Sequence, residues 1–145
     1  MTEVDEFLAT VSPLQHQADT ALHNGDAGPR KDLWSQKDPV TVLGAAKMAS
    51  GRSVVEQLFE WLATNFSNCE SYQCEIIAAG VSSDLGYIVG HERTKASVAG
   101  QQPTPYELRV TLVFRREDGE WKEVHRHADP WPGTLGAQQQ LTRFK

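Results

Sequence analysis

The stretch that decides the fold is Leu108–Pro130, "LRVTLVFRREDGEWKEVHRHADP". Apolar and polar residues alternate on both sides of Asp118-Gly119, a dipeptide suited to the positive backbone angles of a tight hairpin turn. Side chains alternate faces along a strand, so each arm splits into two sets. Tyr106, Leu108, Val110, Leu112 and Phe114 form one set before the turn, and Arg109, Thr111, Val113 and Arg115 form the other. After it, Trp121, Glu123, His125 and His127 oppose Lys122, Val124, Arg126 and Ala128. A two- or four-residue turn puts the histidines beside Leu112 and Phe114, and Arg126 beside Arg109 and Thr111. A three-residue loop exchanges the partners, because a slip of one residue flips every side chain. Two histidines at i and i+2 with Asp129 supply only part of a metal-ligand set, so no metal is expected there.

Upstream of this ribbon the pattern is strand-like back to about residue 70, with segments near 70–81, 84–98, 105–116 and 120–129. The first third is helical. Val4, Phe7, Leu8, Val11, Leu14, Ala18, Ala21 and Leu22 recur at helical spacing. Ser12-Pro13 either restarts that helix or kinks it, and Gly25 stops it. A short second helix spans about Pro29–Ser35, and "PVTVLG" at 39–44 reads as a short strand. A third helix, capped by Ser50 or Ser53, carries Val54, Val55, Leu58, Phe59, Leu62 and Phe66 on one face. Helices followed by antiparallel hairpins define an α+β domain with the helices on one face of a sheet. One domain over 1–130 and an irregular tail over 131–145 are expected, the tail docking through Trp131, Leu135 or Phe144.

The chain carries 19 acidic against 14 basic residues, a formal charge of −5, which disfavours nucleic acid as a partner. No apolar run is long enough to span a bilayer, and the acidic start "MTEVDEFLATV" is unlike a secretory signal, so a cytoplasmic protein is expected. Cys69 and Cys74 read as reduced thiols.

In this order of elements, "LWSQKDPVTVLGA", "GYIVGHERTK" and above all "LRVTLVFRREDGEWKEVHRHADP" resemble the nuclear transport factor 2-like superfamily. The likeness is to its bacterial SnoaL-like branch and to the association domain of calcium/calmodulin-dependent protein kinase II, and it covers about residues 5–130. It implies a cone, a curved sheet wrapped around three N-terminal helices with a pocket at the open end, and a homodimer or larger oligomer paired through the outer sheet face. In the kinase domain, arginines line the pocket at positions matching Thr111 and Ala128 and near His91. That parity implies that Tyr87, His91, Arg93, Arg109, Thr111 and Arg126 face the pocket. It sends His125, His127, Leu112 and Phe114 to the subunit interface.

Trp34 either lines the pocket or fills core. His91 is the candidate general acid–base, since imidazole titrates near neutrality. The isomerase base of the superfamily falls near Thr41 or Val42 and its tyrosine near Ala18, so steroid isomerisation is not expected, and Asp38 reads as a turn residue before Pro39. The resemblance leaves three functions open. The first is a domain binding a small, anionic organic ligand without a cofactor, the second a dehydratase, cyclase or isomerase, and the third an oligomerisation module.

Overall fold

A computed structural model describes residues 1–132; Leu135 and Phe144 of the tail lie outside them. Three helices and six strands follow in the order α1 (Glu3–Leu22), α2 (Gly28–Leu33), β1 (Thr41–Leu43), β2 (Met48–Ser50), α3 (Arg52–Asn65), β3 (Phe66–Ser82), β4 (Leu85–Val98), β5 (Thr104–Glu117) and β6 (Glu120–Pro130). The strands form one mixed sheet ordered β2-β1-β6-β5-β4-β3, antiparallel throughout except that β1 runs parallel to β6. None of the described helices is long and apolar enough to cross a membrane.

Local chemistry accounts for the element ends. α1 begins in a capping box, with Thr2 Oγ1 accepting from the Asp5 amide and Asp5 Oδ2 accepting from the Thr2 amide. It then runs unbroken through Pro13. Pro13 and Ala9 are both exposed, so the carbonyl that proline leaves without a donor is open to water. The N-cap of α3 is neither Ser50 nor Ser53 but Gly51, whose side chain can cap nothing. Asp38 does that work from a distance, its Oδ1 accepting from the Arg52 amide at 2.8 Å.

Two contiguous apolar clusters fill the space between helices and sheet. Phe7, Val11, Ala18 and Leu33 pack on Ile88, Val110, Leu112, Phe114 and Ala128. Trp34, Val40, Val42, Val55, Phe59 and Val124 form the second, with Trp34 edge-on to Phe59 at 5.2 Å. The apolar set of β5 therefore faces the helices. Leu112 and Phe114, expected at a subunit interface, are fully buried in the core.

The turn joining β5 to β6 has two residues, Asp118-Gly119, both at positive φ. The register slips once beyond it: Phe114 pairs with Glu123, but Val113 pairs with His125, leaving Val124 unpaired. This β-bulge reverses the parity of every later residue in β6. Arg126 and Ala128 pair with Leu112 and Val110 and point to the helices, while His125 and His127 pair with Val113 and Thr111 and point away.

Candidate functional site at the open end of the cone

The bulge carries a guanidinium into the interior, where a network of polar side chains receives it. Arg126 makes a bidentate pair with Glu92 of β4, Nη1 to Oε2 at 3.1 Å and Nη2 to Oε1 at 2.6 Å. Glu92 Oε2 also accepts from the Tyr72 hydroxyl of β3 at 2.6 Å and from Gln15 Nε2 of α1 at 3.0 Å. Gln15 Nε2 reaches Asp19 Oδ2 at 2.9 Å, and Asp19 Oδ1 pairs with Arg30 of α2. Asp19 and Glu92 thus balance Arg30 and Arg126. Each of these four residues is at most 8% exposed, so the charges are tolerable only as pairs. Burial alone would push the Glu92 carboxyl up, but the charge and hydrogen bonds of Arg126 hold it down at about 2.

Beside this network stands His23, at the C-terminal cap of α1. Its Nδ1 lies 2.7 Å from the backbone oxygen of Asp19, and its Nε2 meets the Tyr106 hydroxyl of β5. Burial pulls its pKa below the ordinary histidine value, against the charge of Asp19, and burial pushes the Tyr106 phenol up.

His23, Tyr106, Arg30, Thr94 and Arg126 form the floor of a cavity of about 970 Å³. Its walls are apolar, with Leu22, Val42, Leu58, Leu62, Phe66, Leu108 and Ala128 among them. The β1–β2 loop, Gly44 to Lys47, lies at one rim and Lys95, Thr104 and Pro105 at the other. A second depression of about 720 Å³, between α1 and the β5–β6 turn, mixes surface acids and bases such as Glu3, Glu6, Glu120 and Lys122 with Phe7, Leu14 and Trp121. A cavity with apolar walls and a few convergent buried polar groups is the better ligand site.

Several residues expected at the pocket lie elsewhere. Arg109 and Thr111 are exposed on the outer face, Arg109 lying 3.7 Å from Asp129. Tyr87 is also outside and 45% exposed. His91 is buried, but on the outer face, stacked on Trp131 at 3.6 Å with its Nε2 2.8 Å from Glu107. Arg93 reaches the cavity rim, where Glu75 and Glu107 hold its guanidinium at 3.2 and 3.4 Å. Trp34 belongs to the core and does not line the cavity. Arg126 alone of the expected ligand-binding set stands on the cavity floor. His125 and His127 lie outside, His125 Nδ1 being 2.7 Å from Thr41 Oγ1. The inner parity of β4 and β5 belongs to Ile88, Gly90, Glu92 and Val110, and of the strands β4, β5 and β6 only β6 shifts, at its bulge.

The sequence reading missed Asp19, His23, Arg30, Glu92 and Tyr106. A signal existed on α1, where Gln15, Asp19 and His23 recur every four residues beside the apolar stripe of Phe7, Val11, Ala18 and Leu22. Polar groups on the buried side of an amphipathic helix need partners, and here the partners are the site.

A model described as the SnoaL-like domain matches residues 12–130. Comparison with curated proteins finds no match. Among solved structures, the chain is similar to a proposed dehydratase of the NTF2-like family from Streptomyces avermitilis, with 21% identity, a TM-score of 0.69, and coverage of 88% of this chain and 97% of that one. It is similar to a proposed calcium/calmodulin-dependent protein kinase II association domain from Xanthomonas campestris, with 16% identity, a TM-score of 0.63, and coverage of 90% and 88%. A cystatin-like-fold protein of unknown function from Nostoc punctiforme has 13% identity, a TM-score of 0.70, and coverage of 93% and 97%. At these identities the structural likeness shows the fold alone.

One buried acid stands outside the hydrogen-bonded network. Glu123, 3% exposed, is pushed by burial from 4.5 up to about 8, with Arg126 and Arg30 pulling the other way. Its folded form therefore holds a proton that the unfolded chain releases above 4.5. On this group's account stability falls as pH rises from about 4.5 to about 8. Glu123→Gln should remove the penalty. In urea titrations the variant should exceed the wild type by less than about 1 kcal/mol near pH 5 and by about 3 kcal/mol near pH 7. A gap independent of pH would contradict a protonated Glu123.

Proposed function

We propose that this chain, which belongs to the SnoaL-like domain family, binds a small organic molecule with an apolar body and a single polar, uncharged head. The observation that carries the reading is the cavity of about 970 Å³, mainly apolar on its walls, with paired polar groups on its floor and Lys47, Arg93 and Lys95 at its rim. An anionic ligand would need spare cationic donors inside. Arg126 is engaged by Glu92 and Arg30 by Asp19, while Arg93 and Arg109 belong to the rim and the outer face. A floor without net charge suits a hydroxyl or carbonyl group better than a carboxylate. N-phenyl-1-naphthylamine, an uncharged fluorescent probe, should brighten on adding the protein. Leu62→Trp, which places an indole in the cavity from α3, should weaken the probe at least about tenfold while leaving the circular dichroism unchanged. Equal binding by the two proteins would place the probe elsewhere and remove the reading.

A proton-transfer enzyme is the second reading, and the His23–Tyr106 pair on the cavity floor favours it. The descriptions of the Streptomyces neighbour as a proposed dehydratase and of a Parabacteroides distasonis neighbour as a proposed ketosteroid isomerase are in keeping with that class. His91, stacked under Trp131 outside the cone, is not the base in this reading.

Pairing of two copies through the outer sheet face accounts for the apolar residues stranded there. Leu85 and Tyr87 of β4 are 53% and 45% exposed, Tyr87 in the row that runs through Val113 to His125, on the face that also carries His127. Sedimentation should show a dimer for the wild type and a monomer for His127→Glu at the same concentration. An unchanged oligomer in the variant would argue against this face.

A further inference from the structure

The hydrogen bonds of His23 fix its tautomer. The backbone oxygen of Asp19, 2.7 Å from Nδ1, can only accept, so Nδ1 carries the proton. In the neutral ring Nε2 is then an acceptor, and the Tyr106 hydroxyl must donate to it. The phenol has one proton, and it is spent on His23. What Tyr106 can offer a guest in the cavity is therefore a lone pair, backed by a base that can take its proton.

We propose that His23 and Tyr106 form a proton relay for a ligand carrying an acidic hydroxyl, a phenol or a stabilised enol, bound in the cavity. The inference rests on the cavity being a ligand site and adds the chemistry of its floor. The ligand O–H donates to Tyr106 Oη. As that O–H bond breaks, its electron pair stays on the ligand oxygen and its proton joins Oη. The former Tyr106 proton leaves Oη for the Nε2 lone pair. A ligand anion and an imidazolium result, with Nδ1–H on the Asp19 carbonyl and Nε2–H on Tyr106. Nothing is oxidised or reduced.

Two features of the site suit this transfer. Burial pulls the His23 pKa below the ordinary histidine value, which favours the neutral ring whose Nε2 lone pair faces Tyr106. The groups packed around it are Asp19 on α1, Arg30 on α2, Phe66 and Tyr72 on β3, Glu92 and Thr94 on β4, Tyr106 on β5 and Arg126 on β6. Their two carboxylates and two guanidinium groups balance, so a new anion and a new cation on the floor leave the total unchanged. Tyr106 is the group that touches the ligand, and His23 acts through it as the positioning and proton-storing residue.

The test uses 4-nitrophenol, whose visible absorbance separates phenol from phenolate, with the full-length protein. At saturation the bound dye should ionise with an apparent pKa lowered by about one unit, a tenfold change in its ionisation ratio. His23→Gln and Tyr106→Phe should bind the dye without that shift. In wild-type protein labelled with ¹⁵N at histidine, the His23 ring should read as the neutral Nδ1–H tautomer when empty and as imidazolium with the dye bound. This measurement decides the matter even where a variant fails to fold. A dye that binds with its free-solution spectrum, or a His23 ring that stays neutral, would overturn the relay and leave the cavity reading standing. So would failure of the dye to displace N-phenyl-1-naphthylamine. Only failure of that uncharged probe to bind at all would take both down together.

Discussion

The interior of this protein is organised by one ion pair, Arg126 with Glu92. Neither charge can be left alone where it sits, since each residue is under a tenth exposed. The pair joins β6 to β4, and the remaining lone pairs of Glu92 recruit Tyr72 from β3 and Gln15 from α1. Through Asp19 the same network reaches Arg30 on α2. Three strands and two helices are thus referenced to one carboxylate. The floor of the cavity lies where those elements converge, so its geometry is set by bonds made for stability.

The ion pair exists because of a single unpaired residue. Val124 bulges from β6, and beyond it every side chain changes face. Without the bulge, His125 and His127 would enter the core beside Leu112 and Arg126 would lie outside, leaving Glu92 buried without a counter-charge. The bulged valine is not wasted, since it packs in the second core cluster.

Much of the fold was legible from periodicity. The three helices, the four long strands and the Asp118-Gly119 turn fall where alternation and turn chemistry place them. β2 was not, because three residues with Met48 and Ser50 outward carry no pattern. The site was read less well, for a physical reason. Alternation divides a strand into two sets without saying which set is inside, and a bulge changes the answer midway. The apolar set of β5 faces inward, whereas the arginine parity of a distant relative implies the opposite and sends Arg109 and Thr111 to the wrong side. Asp19, His23 and Glu92, to which the resemblance did not point, are the residues hydrogen-bonded at the cavity floor and behind it. Their mark was polarity within an apolar stripe, which periodicity registers as noise and packing registers as a demand for partners.

The account makes the Arg126–Glu92 pair the keystone, and a double-mutant cycle tests it most directly. Arg126→Met and Glu92→Gln should each cost about 3–5 kcal/mol in urea unfolding, because each strands a buried charge. The double variant, with both charges gone, should cost clearly less than the two single losses summed, with a coupling of at least about 2 kcal/mol. Additive losses, or single variants as stable as the wild type, would mean that the two side chains do not meet in the interior and would contradict the account.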